Sequence, residues 1–441
     1  MITSVHPPLP GPRGKALLEK WRRYEADVTG YQAPVVWASA RGCVVTDVDG
    51  NRFLDWTSGV LVTNVGHCHP RLVEAVRQAA GDLLNNYECP NTYRIEAAER
   101  LVRALPPHLD KCFFLSTGSE AVEACLRLMK RRTGKFEILS FVGGFHGRTF
   151  GAASVGGMPG PKRGYGPTMP GVIRALYPNP YRDPFGWCQD APRFDRYFDY
   201  LETEIAAQST GSLAGLIVEP YQGAAGFIFP PPGWLKRLKE WARRRGILFT
   251  LDEVQSSYGR TGRMWAMEHE GLTPDLVCIG KAIGCGVPVS AVAGTSDVFS
   301  CLSKGEMSST LGGNPLASAA VTAILDIYEK EDLVGRSARL GPYLKERLLA
   351  IAARSRTLGD IRGMGLVMGL EFVKDKTTRE PFPEIIRPLI DTAANHGLLI
   401  GSVGFYGNVI RVAPPLVMSQ EEADESLALF ESALSEVEAA R

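Results

Sequence analysis

The sequence lacks the features that mark several specialised classes of protein. No apolar run among its 441 residues is long enough to span a membrane, and the first fourteen residues carry four prolines without the apolar core of a signal peptide. Neither charge sign dominates, since 49 Lys and Arg residues stand against 48 Asp and Glu residues, so no nucleic-acid or membrane-surface partner is expected. Nine cysteines at irregular spacing argue against a disulfide framework and predict the reduced thiols of a cytoplasmic protein.

The rest of the composition is that of an ordinary globular protein, with 45% hydrophobic and 22% charged residues. Helix-like and strand-like segments alternate through the centre of the chain. Continuous apolar strands are predicted at 111–115, 136–141, 213–218, 247–251 and 276–279, and helices at 70–83 and 234–242. Strands of this kind between helices predict an α/β fold with a mostly parallel sheet covered on both faces.

The pattern changes after about residue 320. Helices are predicted at 316–328 and 341–353, short strands at 365–373, 398–402 and 409–412, and a last helix after a capping box at Ser419 and Glu422. We therefore expect a large α/β domain over residues 61–320. Residues 1–60 and 321–441 are expected to form a smaller α+β domain together.

Lys281 is the most informative single residue. It follows the apolar strand at 276–279, and Gly280, Gly284 and Gly286 surround it. Burial disfavours an ammonium group and favours the free amine, which forms Schiff bases with aldehydes. Most lysines at strand ends extend their amine into solvent. The interpretation of Lys281 as a nucleophile therefore depends on other residues that suit the same site.

Asp252 is the first such partner. It ends the strand at 247–251, where ligands bind in open α/β sheets, and it precedes Lys281 by 29 positions. A helix-capping role is the alternative for an isolated aspartate. An amine for a Schiff base and a carboxylate for a ring nitrogen together predict a pyridoxal phosphate site, and both could reach one edge of the sheet.

Two further stretches suit the same cofactor. Thr117 and Glu120 form a capping-box pattern at a helix start that follows the strand at 111–115, and Gly118 and Ser119 offer backbone and hydroxyl donors to a phosphate. An ordinary capped helix would look the same. Phe145 follows the strand at 136–141 and could stack on a planar ring, although such a residue alone more often packs in a core.

Taken together, these stretches resemble the class III pyridoxal phosphate-dependent aminotransferases, which include 4-aminobutyrate and ornithine aminotransferases. The resemblance runs from about residue 35 to the C-terminus. The matching motifs, in chain order, are GHCHP (66–70), STGSEAVE (116–123), GGFHGRT (143–149), EPYQGAAG (219–226), LDEVQSSYGRTGR (251–263), PDLVCIGKAIG (274–284), STLGGNP (309–315) and NVIRVAPPL (408–416). The resemblance implies fold type I of the pyridoxal phosphate-dependent transferases and no metal.

The resemblance also implies a set of cofactor-binding residues. These are Gly118, Ser119, Phe145, His146, Glu219, Asp252, Val254, Gln255, Lys281 and Thr310. Lys281 would hold the cofactor and act as acid and base, and Asp252 would keep the ring nitrogen protonated. Gln255 would bind the phenolic oxygen, while Val254 and Phe145 would pack on the two ring faces.

Substrate and assembly are implied in the same way. Arg411 matches the arginine that binds a substrate carboxylate as a bidentate pair, and Val60 belongs to the implied substrate pocket. Arg148 matches a second arginine used for a distal carboxylate, or is an arginine of a surface loop. Thr310 matches a residue that reaches the phosphate of the neighbouring subunit, which implies a homodimer with shared active sites.

The sequence departs from the family pattern at three places. Ala224 stands where 4-aminobutyrate and ornithine aminotransferases carry a glutamate that pairs with the carboxylate-binding arginine. Arg411 is therefore expected to stay free for a carboxylate in both half-reactions, or to use another partner. Cys285 replaces a usual glycine and Ser257-Tyr258 a usual Gly-Phe pair, and both are candidates for a reshaped pocket.

We interpret the chain as an aminotransferase that moves an amino group from an amino acid or ω-amino acid to a 2-oxo acid, such as pyruvate or 2-oxoglutarate, by a ping-pong cycle. An amino-acid racemase or epimerase remains open, as does a decarboxylase or ammonia-lyase of the same fold. A regulatory protein that binds the cofactor without catalysis is disfavoured by the intact Lys281, Asp252 and Gln255. His67-Cys68-His69 is not expected to bind a metal, because adjacent residues rarely converge on one ion.

Overall fold

The structure is a computed structural model that describes residues 2–30, 32–188 and 194–441. The chain forms two compact units, a small one of Met1–His69 with Leu333–Arg441 and a large one of Pro70–Asp332. The divisions fall at 69/70 and 332/333, whereas the sequence placed them at 60/61 and 320/321. Within the described ranges, no helix combines the length and the apolar character that a membrane span requires.

The N-terminal part of the small unit contains two helices and three strands. Helices α1 and α2 span Pro12–Tyr24 and Ser58–Leu61, and strands β1, β2 and β3 span Trp37–Arg41, Val44–Asp47 and Arg52–Asp55. The three strands pair antiparallel in sequence order. In α2, Val60 has φ 69° and ψ 55°, the left-handed region that side chains rarely adopt.

A seven-stranded sheet forms the centre of the large unit. Its strands are β4 (Lys111–Leu115), β5 (Glu137–Phe141), β6 (Val172–Ala175), β7 (Leu213–Val218), β8 (Leu248–Asp252), β9 (Leu276–Ile279) and β10 (Ser290–Gly294). The strand order is β4-β10-β9-β8-β7-β5-β6. Only β10 runs antiparallel to its neighbours, so the predicted α/β fold with a mostly parallel sheet is confirmed.

Helices accompany this sheet. They are α3 (Pro70–Asp82), α4 (Thr92–Ala104), α5 (Gly118–Thr133), α6 (Phe150–Val155), α7 (Phe194–Gln208), α8 (Trp234–Arg244), α9 (Ser296–Phe299) and α10 (Pro315–Glu331). The predicted capping box of Thr117 and Glu120 begins α5, and Gly134 ends it in the left-handed conformation. The buried face of α5 packs with residues of β9 and β10 in one apolar cluster, which fixes the start of the helix at the edge of the sheet.

The C-terminal part of the small unit follows. It contains α11 (Leu333–Arg354), β11 (Leu358–Met364), β12 (Val367–Phe372), α12 (Ile386–His396), β13 (Leu398–Leu399), β14 (Gly401–Val403), β15 (Val409–Val412) and α13 (Gln420–Ala439). Strand β13 pairs parallel with β3, and β11-β12-β15-β14 form an antiparallel sheet. The predicted capping box of Ser419 and Glu422 begins α13.

The prediction of a helix over 341–353 placed its start too late. Helix α11 begins at Leu333, and Pro342 lies inside it. A proline normally interrupts a helix, which is why the sequence suggested a later start. Gly341 is required because a Cβ atom there would lie 2.3 Å from the carbonyl oxygen of Gly365, in the turn between β11 and β12.

Candidate active site

Lys281 and Asp252 come together because β8 and β9 are parallel neighbours. Asp252 ends β8 and lies in register with Cys278 of β9, and Lys281 follows the end of β9. Both line a pocket of about 240 Å³ within the large unit. Lys281 is half-buried there and has φ 50°, so its backbone adopts an unusual conformation at the site. The predicted convergence of the two residues at one sheet edge is therefore present.

The start of α5 forms another wall of this pocket. Thr117, Gly118 and Ser119 all line it. A Cβ atom on Gly118 would lie 2.9 Å from Cγ1 of Val254, and one on Gly280 would lie 3.0 Å from the same atom. The two glycines thus leave room for Val254 between them, and the first amides of α5 have no acceptor inside the helix.

His146 and Asp252 form a buried pair beside the pocket. The Nδ1 atom of His146 lies 2.7 Å from Oδ2 of Asp252, and both side chains are at most 5% exposed. Burial by itself lowers the pKa of His146, but the hydrogen bond to Asp252 and the charges of Asp252 and Glu219 raise that pKa above its ordinary value overall. The hydrogen bond fixes the orientation of the Asp252 side chain in the pocket wall.

Gln255 presents an unsatisfied polar group. Its Oε1 atom is buried and has no hydrogen-bond partner among the residues that the structure describes. Its amide packs against Gly223, where a Cβ atom would lie 1.8 Å from Oε1. Because a buried polar atom without a partner is costly, a hydrogen-bonding ligand would stabilise this amide.

Part of the pocket wall was not predicted from the sequence. Tyr221 and Ser256 line it but received no role, although both lie inside motifs that were recognised. The Tyr221 ring stacks on Phe229 at 4.7 Å, and its hydroxyl donates to the backbone carbonyl of Gln255 over 3.3 Å. Ala224 lines the same pocket, so the departure from the family pattern noted there does face the site.

Several residues singled out from the sequence lie outside this pocket wall. Arg148 is exposed, and its backbone amide donates to Oγ of Ser119 over 3.2 Å. Thr310 is exposed and lines a separate cavity with Ser116. Cys285 does not line the pocket, and Tyr258 packs in the core on Trp265 and Tyr328.

The substrate-binding candidates Arg411 and Val60 belong to the small unit. Arg411 is 3% exposed, and its Nε and Nη2 atoms have no acceptor among the described residues. Burial lowers the pKa of Arg411 to about 10, and the charge of Asp55 opposes that shift. In the same unit, His67 pairs with Asp55 over 2.9 Å, which explains this histidine without a metal.

The donor set of the large-unit pocket fits pyridoxal phosphate. The phosphate would be held at the start of α5 by Gly118 and Ser119, and the ring nitrogen by Asp252. Lys281 supplies the amine and Gln255 a buried amide with an unmet hydrogen bond. An aldehyde, a ring nitrogen and a phosphate in one molecule match these groups.

Comparisons with known proteins agree with this fit. The profile of the family described as Aminotransferase class-III matches residues 26–434. An alanine/serine racemase of Pyrococcus horikoshii is 36% identical, covering 97% of this chain and 91% of its own length. A 4-aminobutyrate aminotransferase of Mycobacterium tuberculosis is 36% identical, covering 95% of both chains.

Solved structures agree as well. The chain is similar to an amine transaminase from an uncultivated Pseudomonas species, solved with pyridoxal phosphate bound, with a TM-score of 0.86 and 31% identity over 91% of this chain and 95% of that one. The family match over nearly the whole chain, together with the pocket, leads to one assignment. The chain belongs to the class III aminotransferases, a family of pyridoxal phosphate-dependent transaminases.

Proposed function

We propose that the enzyme transfers the amino group of an α-amino acid to a 2-oxo acid, with Lys281 as the proton carrier. The single observation that supports this reading most is that Lys281 and Asp252 line one pocket with the start of α5. When bound, pyridoxal phosphate supplies an aldehyde for the substrate amine and an electron-withdrawing ring.

The chain's own residues then have distinct roles in this proposal. Lys281 would hold the cofactor through its amine and would carry the proton to and from the substrate Cα. Asp252, oriented by His146, keeps the ring nitrogen protonated. Phe145 and Val254 would pack on the ring, and Gln255 would bind its phenolic oxygen.

Arg411 is proposed to bind the α-carboxylate of the substrate. Its guanidinium is buried, and two of its nitrogens have no acceptor within the described part of the chain, as expected of a cation whose acceptor arrives with a ligand. Ala224 stands at the position where related aminotransferases carry a glutamate that pairs with the arginine matched by Arg411. A substrate that keeps its α-carboxylate in both half-reactions suits this arrangement better than an ω-amino acid does. Val60 and Arg148 remain proposed substrate contacts with no role assigned.

The racemase relative supports a second candidate, amino-acid racemisation, in which the proton returns to Cα. A single-turnover experiment separates the two. The purified enzyme with L-alanine and no 2-oxo acid should form one equivalent of pyruvate per site, while the cofactor absorbance shifts to that of its amine form. Formation of D-alanine without pyruvate would reject the aminotransferase proposal in favour of the racemase.

We also propose a cytoplasmic homodimer with shared sites. All nine cysteines are free thiols, which suits a reducing compartment.

Large apolar side chains of the large unit are exposed, as expected of an interface: Leu84, Tyr87, Ile95, Phe150 and Leu311. Thr310 is proposed to bind the cofactor phosphate in the active site of the neighbouring subunit. A mixed dimer of one Lys281→Ala subunit and one Thr310→Asp subunit should then contain one intact site, with Lys281 from the second subunit and Thr310 from the first. No recovery of activity after subunit exchange would contradict shared sites.

A further inference from the structure

Glu219 connects two loops of the large unit. It follows the end of β7 and is 7% exposed. Its Oε1 atom accepts a hydrogen bond from the backbone amide of Phe145 at 2.8 Å, and its Oε2 atom accepts one from the backbone amide of Gly223 at 3.0 Å. One carboxylate therefore joins the loop after β5 to the loop after β7.

Each of these loops supports a wall of the cofactor pocket. Phe145 lines the pocket itself. Gly223 is the residue against which the Gln255 amide packs, with no room for a Cβ atom between them. A shift of either amide away from Glu219 would therefore move the aromatic wall or release the Gln255 amide.

The charges around Glu219 are few and buried. His146 and Asp252 face it from the loop after β5 and from β8, Tyr221 lies two residues away, and the Tyr177 hydroxyl donates to its backbone carbonyl over 3.2 Å. Burial raises the pKa of Glu219 to about 7. The charge of Asp252 adds to that rise, while His146 and the two amide hydrogen bonds oppose it.

We propose that Glu219 is a positioning residue whose ionised carboxylate clamps the two loops and keeps the pocket in its cofactor-binding shape. This inference rests on the proposed function in one respect, that the pocket binds pyridoxal phosphate. It does not depend on which amino donor the enzyme uses. Two carboxylate oxygens accept from two amides, whereas a protonated carboxyl turns one oxygen into a donor and weakens one of the two hydrogen bonds.

The direction of the pH effect follows from this geometry. The fold raises the pKa of Glu219, so the group stabilises the folded protein at low pH and loses that contribution as the pH rises through about 7. Cofactor retention should change in the opposite direction, because the clamp needs the ionised form. Lowering the pH from 8 to 6 should release the cofactor faster while the contribution of Glu219 to folding becomes more favourable.

Glu253 offers a matched control. It is buried, burial raises its pKa to about 7, and its carboxylate accepts from the backbone amides of Ala266 and Met267, at 3.0 Å and 2.7 Å. Glu253 does not line the pocket. Its side chain contacts the pocket wall through Ser256, whose hydroxyl donates to the Glu253 carboxylate over 2.8 Å. Glu253→Gln thus removes a similar buried carboxylate that does not clamp the two loops.

The test measures the rate at which the holoenzyme releases pyridoxal phosphate, followed by cofactor absorbance after rapid gel filtration at pH 6, 7 and 8. The wild type should release it about 10-fold faster at pH 6 than at pH 8. Glu219→Gln should release it at least about 10-fold faster than the wild type at pH 8 and lose most of the pH dependence. Glu253→Gln should keep the pH dependence of the wild type even if its melting temperature falls.

If Glu219→Gln does not fold, Glu219→Asp serves instead. Its shorter carboxylate should still titrate, so release should be faster at every pH with the pH dependence retained. The proposal would be overturned if both Glu219 variants released the cofactor at the wild-type rate. It would also be overturned if Glu253→Gln accelerated the release and removed its pH dependence as Glu219→Gln does. A wrong amino donor would change none of these rates, whereas an enzyme without bound cofactor at the start would show that the proposed function itself fails.

Discussion

Arg411 of the small unit differs from the buried charges of the large-unit pocket in how it is satisfied. In the large unit, His146 pairs with Asp252, and both oxygens of Glu219 accept backbone amides. In the small unit, the buried guanidinium of Arg411 leaves two nitrogens without an acceptor among the described residues. The first arrangement is satisfied within the fold, so it holds Asp252 and the two loops in place without a ligand. The second leaves donors for an anionic ligand, which agrees with the proposed binding of a substrate carboxylate.

Lys281→Ala is expected to have the largest effect on activity. Turnover should fall by at least about 10²–10⁴-fold, because no other residue is proposed to move the proton. The absorbance of the lysine-bound cofactor should disappear, and borohydride should no longer fix the cofactor to the chain. Steady-state kinetics and spectra check this, with the exposed Lys304→Ala as control. Substantial turnover by Lys281→Ala would contradict the assignment.

Asp252→Asn should have the next largest effect. It keeps the shape but removes the carboxylate proposed to bind the ring nitrogen, and kcat should fall about 10²–10³-fold. The variant also changes the pH dependence of stability. Because the folded pKa of His146 is raised, the pair stabilises the protein fully below pH 6.5, and this contribution is lost as the pH rises through the folded pKa.

Melting temperatures of the wild type and Asp252→Asn at pH 6 and pH 9 measure this contribution. The difference between the two proteins should be larger at pH 6. An equal difference at both pH values would show that the His146–Asp252 pair does not carry a protonated imidazole.

Arg411→Met tests the substrate side of the comparison. Loss of a charge-assisted pair should raise KM for an α-amino acid about 10–100-fold. Since the variant removes a desolvated cation, the melting temperature should stay the same or rise. The control is Arg362→Met, because Arg362 bonds to both Asp360 and Glu371 and its loss should lower the melting temperature. A large loss of stability in Arg411→Met would mean that Arg411 serves the fold.

Ala224→Glu should have the smallest effect of the series. A carboxylate in the pocket wall should repel an anionic amino acid and lower kcat/KM about 10-fold, without the same loss for an uncharged amine. Ala224→Gln, of nearly equal size, separates charge from volume. Equal losses in the two variants would show that Ala224 matters for space and not for charge.

Much of the site could be predicted because its residues are placed by local rules. Lys281 and Asp252 follow strands whose continuous apolar runs are visible in the sequence, and parallel neighbouring strands bring their ends together. The helix start at Thr117 carries its own capping signal. Strand β10 was missed, because Ser290–Gly294 is short and consists mostly of small residues, and only pairing with β4 and β9 makes it a strand.

The fold class, the family and the positions of Lys281 and Asp252 at strand ends can be predicted from the sequence alone. Tertiary structure alone decided which buried charges meet. His146 and Asp252 are 106 residues apart, and Glu219 and Phe145 are 74 apart. Likewise, Tyr258 lies in the core on Trp265 and Tyr328 instead of in the pocket. Periodicity and capping depend on residues within a turn or a strand, whereas hydrogen bonds between loops depend on how distant segments pack.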